Sequence, residues 1–340
     1  MVAENVTITL DELRTLGVGV LEANGFSKDH ARTINESIWA CQRDECHSHG
    51  AYRLISCVET VRAGKISPDA EPEISHPAPG IVRIDANGAY SLLSFEVGRP
   101  LLVEKARKQG VAVLAINHCY HFSALWPEVE ALAEDGVAAI AMTPGMSTVA
   151  PAGGTKPVFG TDPFAFAWPR PNGNPYVFDF ATSVVARGEV ELHKRAGKPI
   201  PLGWAIDADG QPTTDATRAL EGALLTFGSY KGTAIATMIE LLAGPLIGDL
   251  LSPEAKEHDA GAGVTPYRGE LIIAFDPVSF LGAEADRHLQ RAERIFEEIT
   301  SQGARLPSER RYEARARSLE SGTVTIPRKL YDDIRALYQR

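Results

Sequence analysis

The chain of 340 residues carries 34 Lys and Arg against 44 Asp and Glu, which gives a formal net charge of −10. This acidic balance, without any Lys/Arg-rich run, excludes the basic surface that nucleic-acid binding requires. No apolar run approaches the roughly 18 residues of a membrane helix, and the first residues lack the pattern of a signal peptide. Because the four cysteines show no CxxC spacing, we expect reduced thiols in a soluble, cytoplasmic protein.

The N-terminal part of the sequence predicts three helices. The segment "TLDE" at 9–12 is typical of a capping box and opens a helix that runs to about Ala23. Ser27 is a suitable N-cap for a second helix, whose apolar residues recur at helical spacing. A third helix, at 52–63, follows the polar stretch "RDECHSHGAYR" at 43–53.

From residue 79 onward the sequence predicts an α/β region. Three of its five predicted strands are almost wholly apolar, which indicates a sheet covered on both faces. The predicted strands are 81–85, 111–117, 137–143, 176–180 and 270–276. The predicted helices are 92–109, 126–135, 184–196, 233–243, 283–302 and 328–338. We therefore expect an N-terminal helical domain at 1–78, onto which 304–340 packs back, and a central α/β region at 79–303.

The stretch at 43–53 is the first candidate for chemistry. Imidazole groups bind zinc well, but histidines two residues apart rarely reach one ion and no HExxH pattern exists, so we predict no metal site. Proton transfer needs a histidine poised near neutral pH, a hydroxyl to orient it and a cation for an anionic substrate. His49, Ser48 and Arg53 supply these groups within six residues. A metal-dependent hydrolase and a non-catalytic ligand sensor remain open alternatives.

Three strand-to-helix corners favour the binding of phosphate groups. They are "NHCYHFSALWPEVE" at 117–130, "FDFATSVVARGEV" at 178–190 and "FGSYKGT" at 227–233. Backbone N–H groups at a helix N-terminus attract anions through the helix dipole and through unsatisfied donors. Asp179, in the second corner, is open to two interpretations, a functional residue or a simple cap. No G-x-G-x-x-G segment follows a strand, so the dinucleotide fingerprint is missing.

A set of fragments, in order from about residue 43 to residue 311, resembles the malate/L-lactate dehydrogenase type 2 family. They are "HSHGAYR", "NHCYHFSAL", "FGTDPFAFAWP", "FDFATSVVARG", "GKPIPLGWAIDADGQPTTD", "LLTFGSYKG" and "ARLPSERR". The resemblance implies an NAD(P)-dependent oxidoreductase and a homodimer. It also implies a non-Rossmann α/β fold with a central mixed, largely antiparallel sheet, flanked by helices and joined to a helical lobe of the N- and C-terminal segments.

Within this family, "QRDECHSHG" and "HCYHFSALWPEVE" most resemble the Δ1-piperideine-2-carboxylate/Δ1-pyrroline-2-carboxylate reductases. The resemblance implies reduction of a cyclic imino acid to L-pipecolate or L-proline with NADPH, NADH being possible. It assigns proton donation to His49, orientation of His49 to Ser48, and the substrate carboxylate to Arg53. Residues implied to line the cofactor are His121, Phe122, Ser123, Ala124, Leu125, Thr161, Ala181, Thr182, Ser183, Tyr230, Lys231 and Arg305. The alternative within the family is a dehydrogenase of 2-hydroxyacids such as malate, lactate, sulfolactate or a sugar acid.

Three positions depart from the family pattern. Glu189, the implied third catalytic residue, stands where the reductase branch has aspartate and the ketoacid branches have lysine. An acidic group favours a positively charged iminium over a developing alkoxide, so Glu189 indicates an imine substrate. Ser229 and Ser308 replace glycines of the family loops.

Overall fold

The computed structural model describes residues 4–338, and its N-terminal helices follow the sequence signals. The Thr9 hydroxyl accepts a hydrogen bond from the Glu12 amide at 3.1 Å, and the Glu12 carboxylate accepts one from the Thr9 amide at 2.7 Å. The predicted capping box is therefore confirmed. Ser27 caps the second helix by accepting a bond from the amide of His30.

Thirteen strands and thirteen α-helices are formed by residues 4–338. The strands are β1 (Asn5–Thr9), β2 (Glu73–Ala78), β3 (Ile81–Asp85), β4 (Val111–Tyr120), β5 (Ala138–Met142), β6 (Val149–Ala150), β7 (Phe164–Trp168), β8 (Tyr176–Phe180), β9 (Ala205–Ile206), β10 (Pro212–Thr213), β11 (Ala223–Leu225), β12 (Tyr267–Phe275) and β13 (Thr323–Pro327). The helices are α1 (Leu10–Ala23), α2 (Lys28–Arg43), α3 (Arg53–Arg62), α4 (Ser91–Gln109), α5 (Trp126–Glu134), α6 (Arg187–Arg195), α7 (Ala216–Glu221), α8 (Tyr230–Ala243), α9 (Ser252–Asp259), α10 (Pro277–Leu281), α11 (Ala285–Thr300), α12 (Glu309–Ser321) and α13 (Arg328–Tyr338).

A seven-stranded mixed sheet forms the centre, in the order β2-β3-β4-β12-β5-β7-β8. Only the β3–β4 pair among these is parallel, and the other five pairs are antiparallel. Apolar side chains of the sheet pack with α4 and α5 in one core, and α8 joins a second cluster with β5 and β12. The mixed α/β class with helices flanking a mixed sheet is confirmed.

A second, four-stranded sheet has the order β10-β9-β11-β6, with β11 and β6 parallel. It shares a core with α6, α7 and α8, in which Val149, Val190, Leu224 and Ala236 are fully or almost fully buried. None of its four strands was predicted, because strands of two or three residues are too short to show a periodic pattern. This sheet brings α6 and the start of α8 together.

The two ends of the described chain meet. β13 pairs with β1 in antiparallel register from Thr9 opposite Thr323 to Asn5 opposite Pro327. Ile334 of α13 is buried in the cluster that also holds residues of α1, α2 and α3. The C-terminal segment thus packs on the N-terminal helices, while the domain boundaries expected from the sequence stay a prediction. No helix formed by residues 4–338 is long and apolar enough to cross a membrane.

The helix α12 was not predicted from the sequence, and the reason lies in its buried face. Arg311 and Arg315 are buried or nearly so and form ion pairs with both Asp44 and Glu130. The Arg315 guanidinium lies 2.7 Å from Asp44 and 2.5 Å from Glu130. Burial alone would raise the pKa of Asp44, but hydrogen bonds from Arg43 and Arg315 lower it below its ordinary value. Because this helix packs through charges, it lacks an apolar stripe.

The backbone at the two family glycine positions is left-handed although both residues are serine. Ser308 has φ 67° and ψ −4°, and Ser229 has φ 55° and ψ −116°. The second combination is accessible almost only to glycine, and a side chain there costs about 1–3 kcal/mol.

We predict that Ser229→Gly stabilises the protein by about 1 kcal/mol, because the relieved strain exceeds the added chain entropy of glycine. Urea unfolding monitored by circular dichroism measures the change. Ser301→Gly is the matched control: Ser301 has helical dihedrals, φ −61° and ψ −21°, so glycine there is expected to destabilise by up to about 1 kcal/mol. Equal destabilisation by both variants would contradict the strain assigned to Ser229.

Candidate active site

A single 3₁₀ turn, His47–His49, connects α2 to α3 and carries the predicted catalytic pair. The turn is held by Gln42, whose amide nitrogen lies 3.2 Å from Nδ1 of His47 and whose oxygen accepts a bond from the amide of Ala51 at 3.1 Å. Gly50 passes so close to Gln42 that a Cβ there would clash. This packing fixes the turn and turns His47 toward the scaffold.

The structure brings Ser48, His49 and Arg53 together as predicted. Ser48 Oγ lies 3.0 Å from His49 Nδ1, and Arg53 Nε donates a hydrogen bond to the Ser48 carbonyl oxygen at 3.0 Å. Among the described residues, no hydrogen bond uses the two terminal nitrogens of Arg53. That free edge of the guanidinium can bind a carboxylate with two parallel bonds.

The electrostatic environment keeps His49 neutral. Burial lowers the pKa of His49 to about 3, and the positive charges of Arg53 and Arg268 act in the same direction. Since the ordinary pKa of histidine is about 6.5, the imidazole carries no charge near pH 7 in the free protein. The sequence led us to expect a histidine poised near neutral pH. Burial, which the local sequence does not reveal, accounts for most of the difference, and the charges of Arg53 and Arg268 add to it.

Arg268 is a site residue that the sequence analysis missed. It lies on β12, only 7% exposed, and Nη2 donates to the His121 carbonyl oxygen at 2.9 Å while Nη1 donates to the Pro144 carbonyl oxygen. Burial lowers the pKa of Arg268 to about 10, so it is charged at neutral pH. An arginine next to the apolar run "ELIIAF" was an available signal, because arginine is rarely buried without a specific role.

Behind His121 lie two acidic residues that the sequence analysis also missed. Glu270 Oε1 is 3.6 Å from His121 Nε2, and both side chains are fully buried. Glu128 of α5 completes the group, and ligand-type atoms of the three residues all lie within 4.8 Å of one another. This spacing alone is compatible with an ion, and the absence of a metal stays a prediction.

Glu189 lies in the first turn of α6, about half exposed, with Oε1 3.7 Å from Nε2 of His193. No hydrogen bond within residues 4–338 joins it to Ser48 or His49. The helix nevertheless faces this region, since the charges of Glu191 and Arg195 act on Tyr52, whose pKa is raised by burial. The catalytic role of Glu189 therefore stays a prediction.

Two of the predicted cofactor corners are joined by backbone hydrogen bonds. The amide of Thr182 donates to the Thr161 carbonyl at 2.8 Å, and the amide of Phe227 donates to the Thr182 carbonyl at 2.9 Å. A Cβ on Gly232 would clash with the Phe227 carbonyl, so this glycine lets α8 begin directly against the other segments. Residues 161, 181–183 and 227–233 thus form one continuous wall.

The remaining corner, at 117–130, does not offer its helix N-terminus to a ligand. Asp179 Oδ2 accepts hydrogen bonds from the amides of Leu125 at 2.9 Å and Trp126 at 3.0 Å. Asp179 is therefore the anion at this helix end, and burial raises its pKa to about 6 despite these bonds. Our expectation of a phosphate there was wrong because the protein supplies its own carboxylate.

The side chains of the segment 121–125 divide between two surroundings. Phe122 packs edge to face on Tyr90, with ring centroids 5.2 Å apart, and Leu125 is fully buried in the sheet core. Ser123 Oγ lies 3.4 Å from Nε2 of His121. Ala124 belongs to the same sheet core as Leu125. The polar side chains of His121 and Ser123 lie outside this aromatic and aliphatic packing.

The residues present fit a nicotinamide dinucleotide. Such a cofactor needs cations and polar groups for its phosphates and a surface for its rings. At the start of α8, Lys231 and Tyr230 are exposed beside the continuous wall, and Gly232 permits close approach of backbone. Arg305 is also exposed, and no hydrogen bond places it among these residues within the described chain, so its role stays a prediction.

The chain is similar to known proteins over nearly its whole length. The family model for malate/L-lactate dehydrogenase matches residues 8–335. A Δ1-pyrroline-2-carboxylate reductase of Pseudomonas fluorescens is 60% identical over 98% of this chain and 99% of its own length. A Δ1-pyrroline-2-carboxylate/Δ1-piperideine-2-carboxylate reductase of Pseudomonas aeruginosa is 58% identical over 98% of this chain and all of its own length.

Among solved structures, the Δ1-piperideine-2-carboxylate reductase of Pseudomonas syringae pv. tomato superimposes with a TM-score of 0.92 at 37% identity, covering 98% of this chain and 99% of that one. The chain belongs to the malate/L-lactate dehydrogenase family of oxidoreductases.

Proposed function

We propose that this protein reduces the cyclic imino acids Δ1-pyrroline-2-carboxylate and Δ1-piperideine-2-carboxylate to L-proline and L-pipecolate. The names of relatives that are 58–60% identical over nearly the whole chain support this assignment. The observation that carries the mechanism is the neutral His49 beside the free guanidinium edge of Arg53. A neutral histidine beside a free guanidinium edge suits a substrate that has a carboxylate and that binds already protonated at its nitrogen.

Arg53 holds the carboxylate of the substrate. Its Nε is fixed by the Ser48 carbonyl, which orients the plane of the guanidinium, and the two terminal nitrogens face the substrate. A bidentate guanidinium–carboxylate pair fixes direction as well as distance. The C=N carbon is thereby positioned next to the turn with Ser48 and His49.

His49 manages the proton at the substrate nitrogen by accepting rather than donating. A cyclic imine that arrives protonated brings the proton that a neutral imidazole lacks. In the tautomer whose Nδ1–H donates to Ser48 Oγ, the Nε2 lone pair accepts a hydrogen bond from the iminium N–H. A nicotinamide cofactor, when bound, would supply the hydride to the C=N carbon. The role implied by the resemblance, proton donation by His49, is changed in this proposal because the pKa of His49 is so low.

The proposal extends to the cofactor and the assembly. We assign NADPH as the preferred reductant, with NADH as the alternative, in a cofactor site that is not of the Rossmann type. We place the enzyme in the cytoplasm, where its four free thiols remain reduced. A homodimer is supported by an exposed apolar stripe on and after α8, made of Tyr230, Met238, Leu241 and Leu246. Light scattering at micromolar concentration measures the assembly.

The test of function is consumption of NADPH with Δ1-pyrroline-2-carboxylate, Δ1-piperideine-2-carboxylate, pyruvate and oxaloacetate, repeated with NADH. We expect rapid turnover of the two imines and little of the ketoacids. Glu189→Lys introduces the residue of the ketoacid branches, so the ratio of imine to ketoacid turnover should fall in this variant. Turnover confined to ketoacids in the unaltered protein would identify a 2-hydroxyacid dehydrogenase instead.

A second prediction concerns His49→Ala. At a pH where the imine is protonated, we expect kcat/KM to fall by about tenfold, the effect of one lost hydrogen bond. At higher pH, kcat/KM of His49→Ala relative to wild type should fall no further than deprotonation of the free iminium explains. His47→Ala is the matched control, because His47 contacts Gln42 in the scaffold. Complete loss of activity at every pH in His49→Ala would contradict the accepting role.

A further inference from the structure

The acid pair Glu128 and Glu270 presents an unusual hydrogen-bonding problem. Glu128 is 1% exposed and Glu270 is 0% exposed, and none of their four carboxylate oxygens has a hydrogen-bond donor among the described residues. Two ionised carboxylates side by side in a buried site repel each other and lose their hydration. One proton between them removes the repulsion and gives one oxygen of each a partner.

The neighbouring groups determine which acid holds the proton. Burial and the charge of Glu270 raise the pKa of Glu128 well above its ordinary range. Burial also acts to raise the pKa of Glu270, but His121, Glu128 and Arg268 together lower it. Two other charged groups lie near the pair, Arg268 on the same strand as Glu270 and Asp179 on β8. The buried thiol of Cys119 on β4 would add a third charge if it ionised. The proton therefore resides on Glu128.

His121 has a defined orientation in this group. Arg268 Nη2 lies 3.4 Å from His121 Nδ1, and a guanidinium has only donors, so Nδ1 must be the accepting nitrogen. Burial lowers the pKa of His121, which leaves a neutral ring with its proton on Nε2. That nitrogen faces Glu270 Oε1 at 3.6 Å. Arg268 thus donates to His121, and the protonated nitrogen of His121 faces Glu270 at a distance slightly longer than a hydrogen bond.

We propose that Glu128 and Glu270 share one proton, and that the single negative charge left on Glu270 positions His121 and balances Arg268 behind the active site. Both acids are positioning residues, since they act through His121 and Arg268. The proposal rests on the proposed function only in its kinetic consequence. Glu270 then supplies a buried negative charge that offsets the cations Arg53 and Arg268 when a positively charged iminium binds.

An ion held by the same three side chains is the competing explanation for the unpartnered oxygens. A divalent cation would have to lie beside the buried guanidinium of Arg268, which contacts His121 directly. Like charges in a buried site disfavour that arrangement. A shared proton gives one oxygen of each acid a partner without adding a second positive group.

The first test is infrared spectroscopy of the protonated carboxyl stretch in the purified protein at pH 8, in water and in D2O. We expect a D2O-sensitive band that is lost in Glu128→Gln and retained in Glu134→Gln, an exposed residue of the same helix. Asp162 and Glu240 form another buried acid pair with raised pKa values, so only the difference between variant and wild-type spectra counts. An unchanged band in Glu128→Gln overturns the proposal. So does a stoichiometric metal in elemental analysis of the wild-type protein.

The second test is kinetic and separates positioning from structure. Glu128→Gln keeps a donor for Glu270, so kcat/KM for the imines should stay within about threefold of wild type. Glu270→Gln removes the negative charge, so kcat/KM should fall at least tenfold and its pH profile should change. Most of the loss should appear in the pH range where the imine is protonated. Equal effects of the two variants, without a change in pH profile, would overturn the proposal.

If Glu128→Gln does not fold, nitrogen-15 spectra of histidine in the wild-type protein still decide the matter, with the His121 signal assigned from His121→Gln. A neutral His121 protonated at Nε2 is expected, and protonation at Nδ1 overturns the proposal. These measurements also distinguish failure of the proposed function from failure of the shared proton. If the protein shows the expected infrared and nitrogen-15 spectra but does not reduce the imines, only the proposed function is rejected. If it reduces the imines normally but lacks these spectra, only the shared proton is rejected.

Discussion

The candidate site depends on the partial removal of the His49 imidazole from water and on the positive charges around it. Loss of hydration has the larger effect on the pKa of His49, and Arg53 and Arg268 act in the same direction from two different parts of the chain. A neutral histidine has no extra proton to give, so His49 accepts a hydrogen bond from the substrate instead of donating a proton to it. The proton at the substrate nitrogen must then arrive with the substrate, and the substrate carboxylate, paired with Arg53, offsets the positive charge that a protonated cyclic imine brings into this site.

The scaffold holds this site through polar contacts at the edges of its elements. Asp179 fixes the start of α5 through two backbone amides, and the ion pairs of Arg311 and Arg315 tie α12 to the end of α2 and to α5. Gln42 fixes the turn that carries His49. A buried group of this kind specifies one arrangement, because a broken partner leaves an uncompensated charge. Precision at His49 thus comes from neighbours that do not touch the substrate.

The parts of this structure that follow from local sequence could be predicted. The capping box at Thr9 and the approach of Ser48 to Arg53 involve residues a few positions apart, so spacing alone is informative. β7 was not predicted, although "FAFAW" alternates as a half-buried strand should, because alanine carries little signal. The helix α12 was missed because its buried face is ionic.

Long-range pairing explains why half of the site was not predicted. Arg268 reaches His121 across 147 residues of chain through the antiparallel pairing of β12 with β4, and Glu270 arrives with the same strand. Glu128 had been noticed only as part of a corner that favours phosphate. No spacing rule connects these positions, so their shared burial and the resulting pKa shifts emerge only from the folded arrangement.

The most direct test of the neutral imidazole is a nitrogen-15 NMR titration of His49 in the wild-type protein, with the signal assigned from His49→Gln. The account predicts that His49 remains neutral from pH 8 down to about pH 5, since burial and the neighbouring cations lower its pKa to about 3. Titration of His49 with a pKa between about 6 and 7, the range of an unperturbed histidine, would contradict it and restore proton donation by His49 as the mechanism.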